Sequence, residues 1–245
     1  DKKDLNLFAA QGVACREVVM KQGHGRADYL LYVDKRVVGV IEAKPEGTTL
    51  SGVEWQSAMY AAGLPADARL RAETLEDRLP FVIEASGSET HLTNGYDPNP
   101  RARRIFSVPQ PETLAAIIRE AKARPDAPTW RAKVEHLPPL DVTDLRPAQI
   151  TAIRGIENSL AAHQFDRSLV QMATGAGKTY TAVTAAYRLL KFGGFRRILF
   201  LVDRNNLAEQ TIGEFQIYRA PGGGRRFTEL YNVDKLTSVG MLGSS

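Results

Sequence analysis

Residues 28–44 have the sequence DYLLYVDKRVVGVIEAK, and this stretch decides the fold of the N-terminal half of the chain. Two runs rich in β-branched and aromatic residues flank a short polar segment, which predicts an antiparallel β-hairpin with its turn centred on Lys35. Because the numbers of paired residues in such a hairpin sum to a constant, Asp28 is expected opposite Glu42. Lys44 lies two residues beyond Glu42, so both side chains point to one face. The hairpin therefore predicts two carboxylates and one ammonium group at a single position.

This trio suits the hydrolysis of a phosphodiester. Mg²⁺ prefers oxygen ligands in near-octahedral geometry, which the carboxylates of Asp28 and Glu42 can supply, and the bound ion polarises a phosphate. Lys44 can position the attacking water and offset the charge that develops on the phosphate. The pattern is short, however, and an exposed hairpin with a surface salt bridge is the alternative interpretation.

The segments around the hairpin predict a mixed α/β domain over residues 1–110. Residues 5–45 alternate apolar and polar positions and predict β-strands. A helix is expected at about 52–63, starting with a capping box at Ser51–Glu54 and stopping at Gly63 and Pro65. Leu79–Ala85 predicts a further strand, and 86–104 predicts loops and short strands.

The second half of the chain follows a different pattern. A helix predicted at Glu112–Ala123 leads into 124–140, which contains four prolines, so 111–140 is expected to be a helix and a domain linker. From 141 to 245 the pattern becomes β-α-β, which indicates parallel strands connected by a helix. The predicted elements are a strand at Ser168–Ala173, a helix at Lys178–Lys191 closed by Gly193-Gly194, and a strand at Arg197–Val202.

The segment 171–179, QMATGAGKT, sits between the first of these strands and the helix. Glycines let backbone N–H groups turn toward phosphates, and the N-terminus of the helix adds positive potential, so the segment predicts an ATP-binding P-loop. Lys178 is expected to reach the β- and γ-phosphates and Thr179 to bind the Mg²⁺ of Mg-ATP. A chance glycine-rich turn is the alternative. The residues expected to surround the phosphates are Thr174, Gly175, Ala176, Gly177, Lys178 and Thr179.

Two further features of the N-terminal half make a family resemblance specific. The string GHGRADYLLYVD before the turn places glycines just ahead of Asp28, and Gln56 and Tyr60 lie four residues apart on one face of the following helix. Together with Glu42-Ala-Lys44, these residues resemble the PD-(D/E)XK nucleases with a Gln-x-x-x-Tyr addition, and more closely the nuclease domain of type I restriction R subunits. The resemblance implies that Asp28, Glu42 and Lys44 are catalytic, and that Gln56 and Tyr60 support the site. For Tyr60, a core aromatic is the alternative.

The second half resembles the start of a superfamily 2 helicase-like motor, which commonly has A-T-G-x-G-K-T without the first glycine of the strict P-loop. Leu145-Arg146-Pro147-Ala148-Gln149 is similar to the adenine-reading motif of these motors, which implies that Gln149 contacts the adenine edge and places Arg146 in the ATP site. A helix start with proline in its first turn explains the same residues. Arg204 lies in a segment that resembles a motif touching the DNA backbone, although a capped strand-to-helix connection explains it equally.

Composition sets the remaining limits. The net charge of +4 is compatible with a nucleic-acid partner without requiring one. A single cysteine, Cys15, excludes an internal disulfide and fits a reducing cytoplasm. No apolar run approaches the ~18 residues that a membrane span needs, and the N-terminus does not resemble a signal peptide.

These observations predict a mixed-sheet nuclease domain followed by part of a RecA-like parallel α/β lobe. The resemblance implies a type I site-specific deoxyribonuclease, which cleaves double-stranded DNA with Mg²⁺ and ATP beside methyltransferase and specificity subunits. The alternatives are a helicase-nuclease of DNA repair or another defence system, and a non-catalytic DNA- or nucleotide-binding relic. No Asp-Glu dipeptide occurs in the 245 residues. Because nucleotide hydrolysis needs such a pair, this chain is expected to bind nucleotide poorly and not to turn it over.

Overall fold

The computed structural model describes residues 5–47, 54–161, 165–203, 205–221 and 224–236. The chain divides into two compact units, residues 1–132 and 133–245. The division falls within a short helix, α4 in chain order, at Trp130–Glu135. In the described residues, no helix combines the length and the apolar character needed to cross a membrane.

The first unit is built on one mixed sheet of six strands, arranged in the order of the chain. Strands β1 to β3 form an antiparallel meander, β3 and β4 are parallel, and β4 to β6 are antiparallel again. The prediction of a mixed α/β fold is therefore confirmed. The strands are β1 (Gly12–Val19), β2 (Arg26–Val33), β3 (Arg36–Ala43), β4 (Phe81–Ala85), β5 (Thr90–Asn94) and β6 (Arg103–Ile105).

Helices cover both faces of this sheet. Helices α1 (Glu54–Gly63) and α2 (Ala66–Arg69) lie in the crossover between β3 and β4 and pack on one face through Ala61, Leu64 and Ala68. Helix α3 (Pro111–Ala123), which the sequence grouped with the linker, packs on the other face through apolar side chains. Burying apolar groups on both faces accounts for the nearly continuous apolar runs in β3 and β4.

The β2–β3 hairpin differs from the simple prediction in a way that matters for its far end. Its turn is the two residues Asp34 and Lys35, with φ of 47° and 65°, so pairing begins at Val33↔Arg36 rather than around a turn centred on Lys35. Positive φ at both central residues fits a type I′ turn, whose twist matches that of the strands. The register then shifts by one residue, because Tyr32 pairs with Val37 but Leu31 pairs with Gly39.

Val38 is the extra residue of this β-bulge, and it changes the face to which the rest of β3 points. Val37 and Val40 both pack in the core on the α1 side, although they are three residues apart, whereas Val38 packs on the α3 side. Strict alternation would have placed residues 37 and 40 on opposite faces. The bulge therefore turns Glu42 toward α1, which is the face that Asp28 occupies.

After α4, the helices in the described part of the second unit are α5 (Pro147–Leu160), α6 (Lys178–Lys191), α7 (Asn205–Ile217) and α8 (Phe227–Leu230). Its core is largely aromatic. Tyr218 lies at the centre, within 6.2 Å of the ring centroids of Tyr180, Tyr187 and Phe227. The predicted helix Lys178–Lys191 is confirmed with both of its bounds.

The two strands predicted in this unit are wrong. Residues 168–173 and 197–202 have no strand assignment and no strand partner in the described part of the chain. Leu169, Leu199 and Leu201 are largely exposed. A strand exists only where a neighbouring strand satisfies its N–H and C=O groups, and the apolar composition of these segments could not show that such neighbours were missing.

Candidate functional site

The bulged hairpin brings together the three residues that its sequence singled out. Beyond the bulge, the last pair of the ladder is Tyr29↔Ile41, and Asp28 and Glu42 are the next residues of their strands. The Ala43 N–H donates to Asp28 Oδ2 at 2.8 Å, which ties the two strands at this point. Lys44 Nζ lies 3.6 Å from Glu42 Oε2. Two carboxylates and an ammonium group thus occupy the end of the hairpin on the face covered by α1.

Tyr60 joins this group from α1. Its hydroxyl donates a hydrogen bond to Glu42 Oε1, which fixes the rotamer of that carboxylate from the helix side. Burial and the hydrogen bond to Glu42 raise the pKa of Tyr60, so the hydroxyl keeps its proton as a donor. Gln56 lies one turn earlier on α1, but its side chain falls outside the described part of the chain, as do residues Ser51–Val53 of the expected helix cap.

A third acidic residue, Glu84 of β4, was not predicted from the sequence. It pairs in parallel register with Glu42 and, across the next strand, with His91 of β5, so all three side chains stand on the α1 face. Glu84 is 3% exposed, and its Oε2 has no hydrogen-bond partner. Burial raises its pKa, Lys44 and His91 lower it, and Glu42 raises it further. The available signal was a charged residue inside the otherwise apolar run Phe81–Ala85.

The carboxylates of Asp28 and Glu42 are candidate ligands for a divalent cation. The described residues contain no group of three or more His, Cys, Asp and Glu side chains disposed to hold a metal ion. Asp28 and Glu42 form a pair on adjacent strands, and Mg²⁺ commonly takes one or two carboxylates and keeps its remaining ligands as water. The donor set therefore fits Mg²⁺ in chemistry and in number.

A cavity of about 1010 Å³ lies elsewhere in the first unit, and none of the predicted site residues lines it. One of its lining carboxylates, Glu73, is paired with two cations. Glu73 accepts from Lys122 at 2.8 Å and lies 3.1 Å from Arg36 Nε, which neutralises its carboxylate. The Glu73–Lys122 pair links α3 to the segment between α2 and β4.

In the second unit, the glycine-rich segment forms a loop that leads into α6. Gly175 and Gly177 have φ of 79° and 84°, values that favour glycine, and Gly177 caps the helix. Lys178 begins the helix, and its Nζ donates to the carbonyl oxygen of Ala173 at 3.2 Å. Thr179 follows in the first turn, while Thr174 and Ala176 lie in the loop itself. The first-turn N–H groups of α6 therefore point toward the loop without acceptors within the helix.

The other two residues predicted for ATP binding lie against this loop. Arg146 Nη1 donates to the Gly175 carbonyl at 3.0 Å, and Gln149 Nε2 donates to the Gly177 carbonyl at 3.4 Å. Both come from the N-terminus of α5. Arg204, predicted to touch DNA, lies outside the described residues.

Comparisons with known proteins match each unit separately. A family model described as "Type I restriction enzyme EcoKI endonuclease subunit second domain" matches residues 8–89, and one described as "Type III restriction enzyme, res subunit" matches residues 143–238. The chain is 28% identical to the type I restriction enzyme EcoKI endonuclease subunit of Escherichia coli (strain K12) over 244 residues. The chain is therefore similar to restriction endonuclease subunits in both of its units.

The chain spans only about a fifth of the length of the EcoKI relative. The EcoKI alignment covers 87% of the chain and 20% of the E. coli protein. A second relative, the type I restriction enzyme EcoAI endonuclease subunit of Escherichia coli, is 56% identical over 46 residues, which is 19% of the chain and 6% of that protein. No solved structure matches the chain.

Proposed function

We propose that the first unit is a Mg²⁺-dependent nuclease domain of the PD-(D/E)XK type that cleaves double-stranded DNA. The observation that carries the proposal is the junction of Asp28, Glu42 and Lys44 at the end of the bulged hairpin. A hydrogen bond of 2.8 Å from the Ala43 N–H to Asp28 and the 3.6 Å contact between Lys44 and Glu42 hold these groups together. A surface salt bridge would not need Glu42 to be 8% exposed.

Each residue has a separate task in this proposal. Asp28 and Glu42 would hold Mg²⁺, which when bound supplies Lewis-acid polarisation of the scissile phosphate and a more acidic water. Tyr60 keeps the Glu42 carboxylate in one orientation by donating to its Oε1. Lys44 places a positive charge where negative charge develops on the phosphate, and orients the attacking water.

The second unit is proposed to bind ATP as part of a RecA-like motor lobe. Thr174–Thr179 would surround the phosphates, with Lys178 moving from the Ala173 carbonyl to the β- and γ-phosphates and Thr179 binding Mg²⁺. The names of the two restriction endonuclease relatives support a role in restriction. We extend this role to ATP-linked cleavage in the cytoplasm, in a complex with methyltransferase and specificity subunits.

The test measures Mg²⁺-dependent nicking of supercoiled plasmid by the full chain. Asp28→Asn and Glu42→Gln should each reduce the rate by about 100-fold or more, because each removes a charged metal ligand without changing its size. Asp126→Asn is the matched control, since Asp126 is an exposed carboxylate of the same unit. Equal rates in all variants would refute the site.

A second measurement separates binding from cleavage. Titration with Mn²⁺, followed by electron paramagnetic resonance, should show one site in wild type that is lost in Glu42→Gln and kept in Asp126→Asn. Wild type that neither binds Mn²⁺ nor nicks DNA would contradict the nuclease proposal and favour a non-catalytic binding module.

A further inference from the structure

The cavity of about 1010 Å³ in the first unit lies at the end of the sheet where β4 begins and β5 ends. Pro80 leads into β4, Val82 and Thr93 are paired across the two strands, and Tyr96 follows β5. Sites for small molecules in proteins typically have volumes of about 300–1,000 Å³. The cavity is therefore large enough for a whole organic molecule rather than a single ion.

One buried hydroxyl in the cavity wall is available to a ligand. Thr93 is 7% exposed, and its Oγ1 has no hydrogen-bond partner among the residues that the structure describes. Buried polar groups in folded proteins are nearly always paired, with protein, water or a bound molecule, because leaving one unpaired is costly. Since Thr93 lines the cavity, a ligand bound there can supply the missing hydrogen bond.

Rigid rings form a large part of the wall around this hydroxyl. They belong to Tyr96, Pro80, Pro100, Pro125 and Pro128. The ring of Tyr96 is itself held in place by Phe81, with the two ring centroids 6.0 Å apart. Flat, rigid apolar surfaces pack well against an aromatic group and lose little conformational entropy in doing so. The wall therefore favours a ligand with a flat aromatic part.

The charges around the cavity favour an anionic ligand. Two carboxylates in its wall, those of Glu73 and Asp97, each contact two cations, which offset the repulsion of an anion. The exposed rim adds two arginines, Arg78 and Arg101, and one carboxylate, Glu76. Guanidinium groups form strong, charge-assisted hydrogen bonds to phosphate and carboxylate oxygens. An anionic group is therefore expected at the rim, with the aromatic part deeper in the cavity.

A tight turn fixes the position of Arg78 at this rim. Its two central residues, Glu76 and Asp77, have φ of 48° and 61°. The backbones of Leu75 and Arg78 exchange two hydrogen bonds of 2.8 Å each across the turn. The backbone that carries the Arg78 side chain is therefore already ordered, so binding an anion there orders little more than the side chain itself.

We propose that this cavity binds a small anion with a flat aromatic part, which is the chemistry of a nucleoside monophosphate. The aromatic part packs against the proline and tyrosine rings, a polar atom of the ligand pairs with the Thr93 hydroxyl, and the anionic group contacts Arg78 and Arg101. The cavity shares no lining residue with the proposed nuclease site or with the glycine-rich loop. The inference therefore goes beyond the proposed function and does not depend on it.

Calorimetric titration of the full chain with thymidine 5′-monophosphate tests the inference, with EDTA present so that no Mg²⁺ contributes. Wild type is expected to bind one equivalent. Arg78→Gln removes a cation from the rim and should weaken binding about fivefold, because the contact is charge-assisted but exposed. Arg119→Gln is the matched control, since Arg119 is an exposed arginine of α3 that does not line the cavity, and it should bind as wild type does.

Thr93→Val keeps the shape of the side chain but removes its hydroxyl. We expect it to weaken binding about fivefold, the effect of one hydrogen bond. The urea midpoint of the unliganded variant should be unchanged or higher, because an unpaired buried hydroxyl contributes no hydrogen bond to the fold. Thr90→Val, in the same strand but outside the cavity lining, should leave binding unchanged.

Three further titrations identify what is recognised and where. Inorganic phosphate and thymidine, each alone, should bind more weakly than the monophosphate, and Lys178→Ala should bind the monophosphate as wild type does. The inference is overturned if wild type does not bind, if phosphate alone binds equally well, or if Lys178→Ala abolishes binding and so assigns it to the glycine-rich loop. Unchanged affinity in Arg78→Gln and Thr93→Val, or a lower urea midpoint for Thr93→Val, would also contradict it.

Discussion

Two apolar segments of similar composition, Phe81–Ala85 in the first unit and 197–202 in the second, have opposite fates. Phe81–Ala85 is β4, paired on both edges by β3 and β5, and its first four side chains are buried. Residues 197–202 have no strand partner in the described part of the chain, and Leu201 is 80% exposed. The contrast shows that an apolar run forms a strand only where neighbouring strands can pair with it. For β4, the hairpin and the crossover place β3 and β5 beside it.

Gly39 offers the strongest test of how tightly the strands of the first unit pack against each other. A Cβ at this position would lie 2.3 Å from the Phe81 backbone oxygen, so β3 and β4 would have to move apart. We expect Gly39→Ala to lower the free energy of unfolding by about 2 kcal/mol, measured by urea denaturation.

The matched substitution in the second unit should have the opposite sign. Gly155 lies in α5 with nothing within 4 Å of a built Cβ, so Gly155→Ala is expected to stabilise its helix by about 1 kcal/mol. If Gly39→Ala left the free energy of unfolding unchanged, the sheet would accommodate the added methyl group at the bulge. The first unit would then be no more tightly packed than the second.

Because of Glu84, the stability of the first unit is expected to depend on pH. Burial raises the pKa of this carboxyl, so the folded protein holds the proton more tightly than the unfolded chain does. Its ionisation therefore costs stability as the pH rises through the folded pKa, and the cost is absent below the ordinary pKa of glutamate. Glu84→Gln should raise the free energy of unfolding by about 1 kcal/mol at pH 8 and leave it nearly unchanged at pH 4.

The measurement is urea denaturation at both pH values with EDTA present, so that no cation contributes. Glu76→Gln serves as the control, because Glu76 is an exposed carboxylate of the same unit, and it should change stability by less than about 0.5 kcal/mol at either pH. A gain from Glu84→Gln that is largest at pH 4 would contradict the stated origin of the shift.

The smallest effect is expected in the unpaired segment. Leu201→Ala should change the free energy of unfolding by less than about 0.5 kcal/mol, because the side chain is already in solvent. Leu30→Ala, at a fully buried position of β2, is the control and should cost about 3 kcal/mol. A loss of 2 kcal/mol or more from Leu201→Ala would show that residues 197–202 are packed as a strand.

Local patterns sufficed for much of the first unit because its elements lie next to their partners in sequence. The hairpin, β4, α1 and α3 all follow from periodicity and turn residues within short windows. The pairing of Asp28 with Glu42 was predicted from a turn centred on Lys35. In the structure a tighter turn followed by the bulge at Val38 places both residues next to the last pair of the ladder, Tyr29↔Ile41. The tighter turn and the bulge each shift the register by one residue, and the two shifts cancel before Asp28 and Glu42.

The sequence was less informative where a property depends on distant neighbours. Glu84 joins the site only because β4 lies parallel to β3, a pairing that no local pattern reports. The strands predicted in the second unit failed for the same reason. Arg146 contacts the glycine-rich loop across 29 residues of sequence, and Gln149 contacts it across 28. Only the family resemblance implied that these residues lie near the loop.

The bulge at Val38 also has a genetic consequence. Loss of that single codon, in frame, would leave a hairpin with an uninterrupted ladder and an unchanged turn. Val37 and Val40 would then be two residues apart, so simple alternation would keep Glu42 and Lys44 on the face of α1. Only the loss of a second codon between Val37 and Glu42 would turn both side chains toward α3, so the hairpin carries one surplus residue that protects the alignment of its acid and its base.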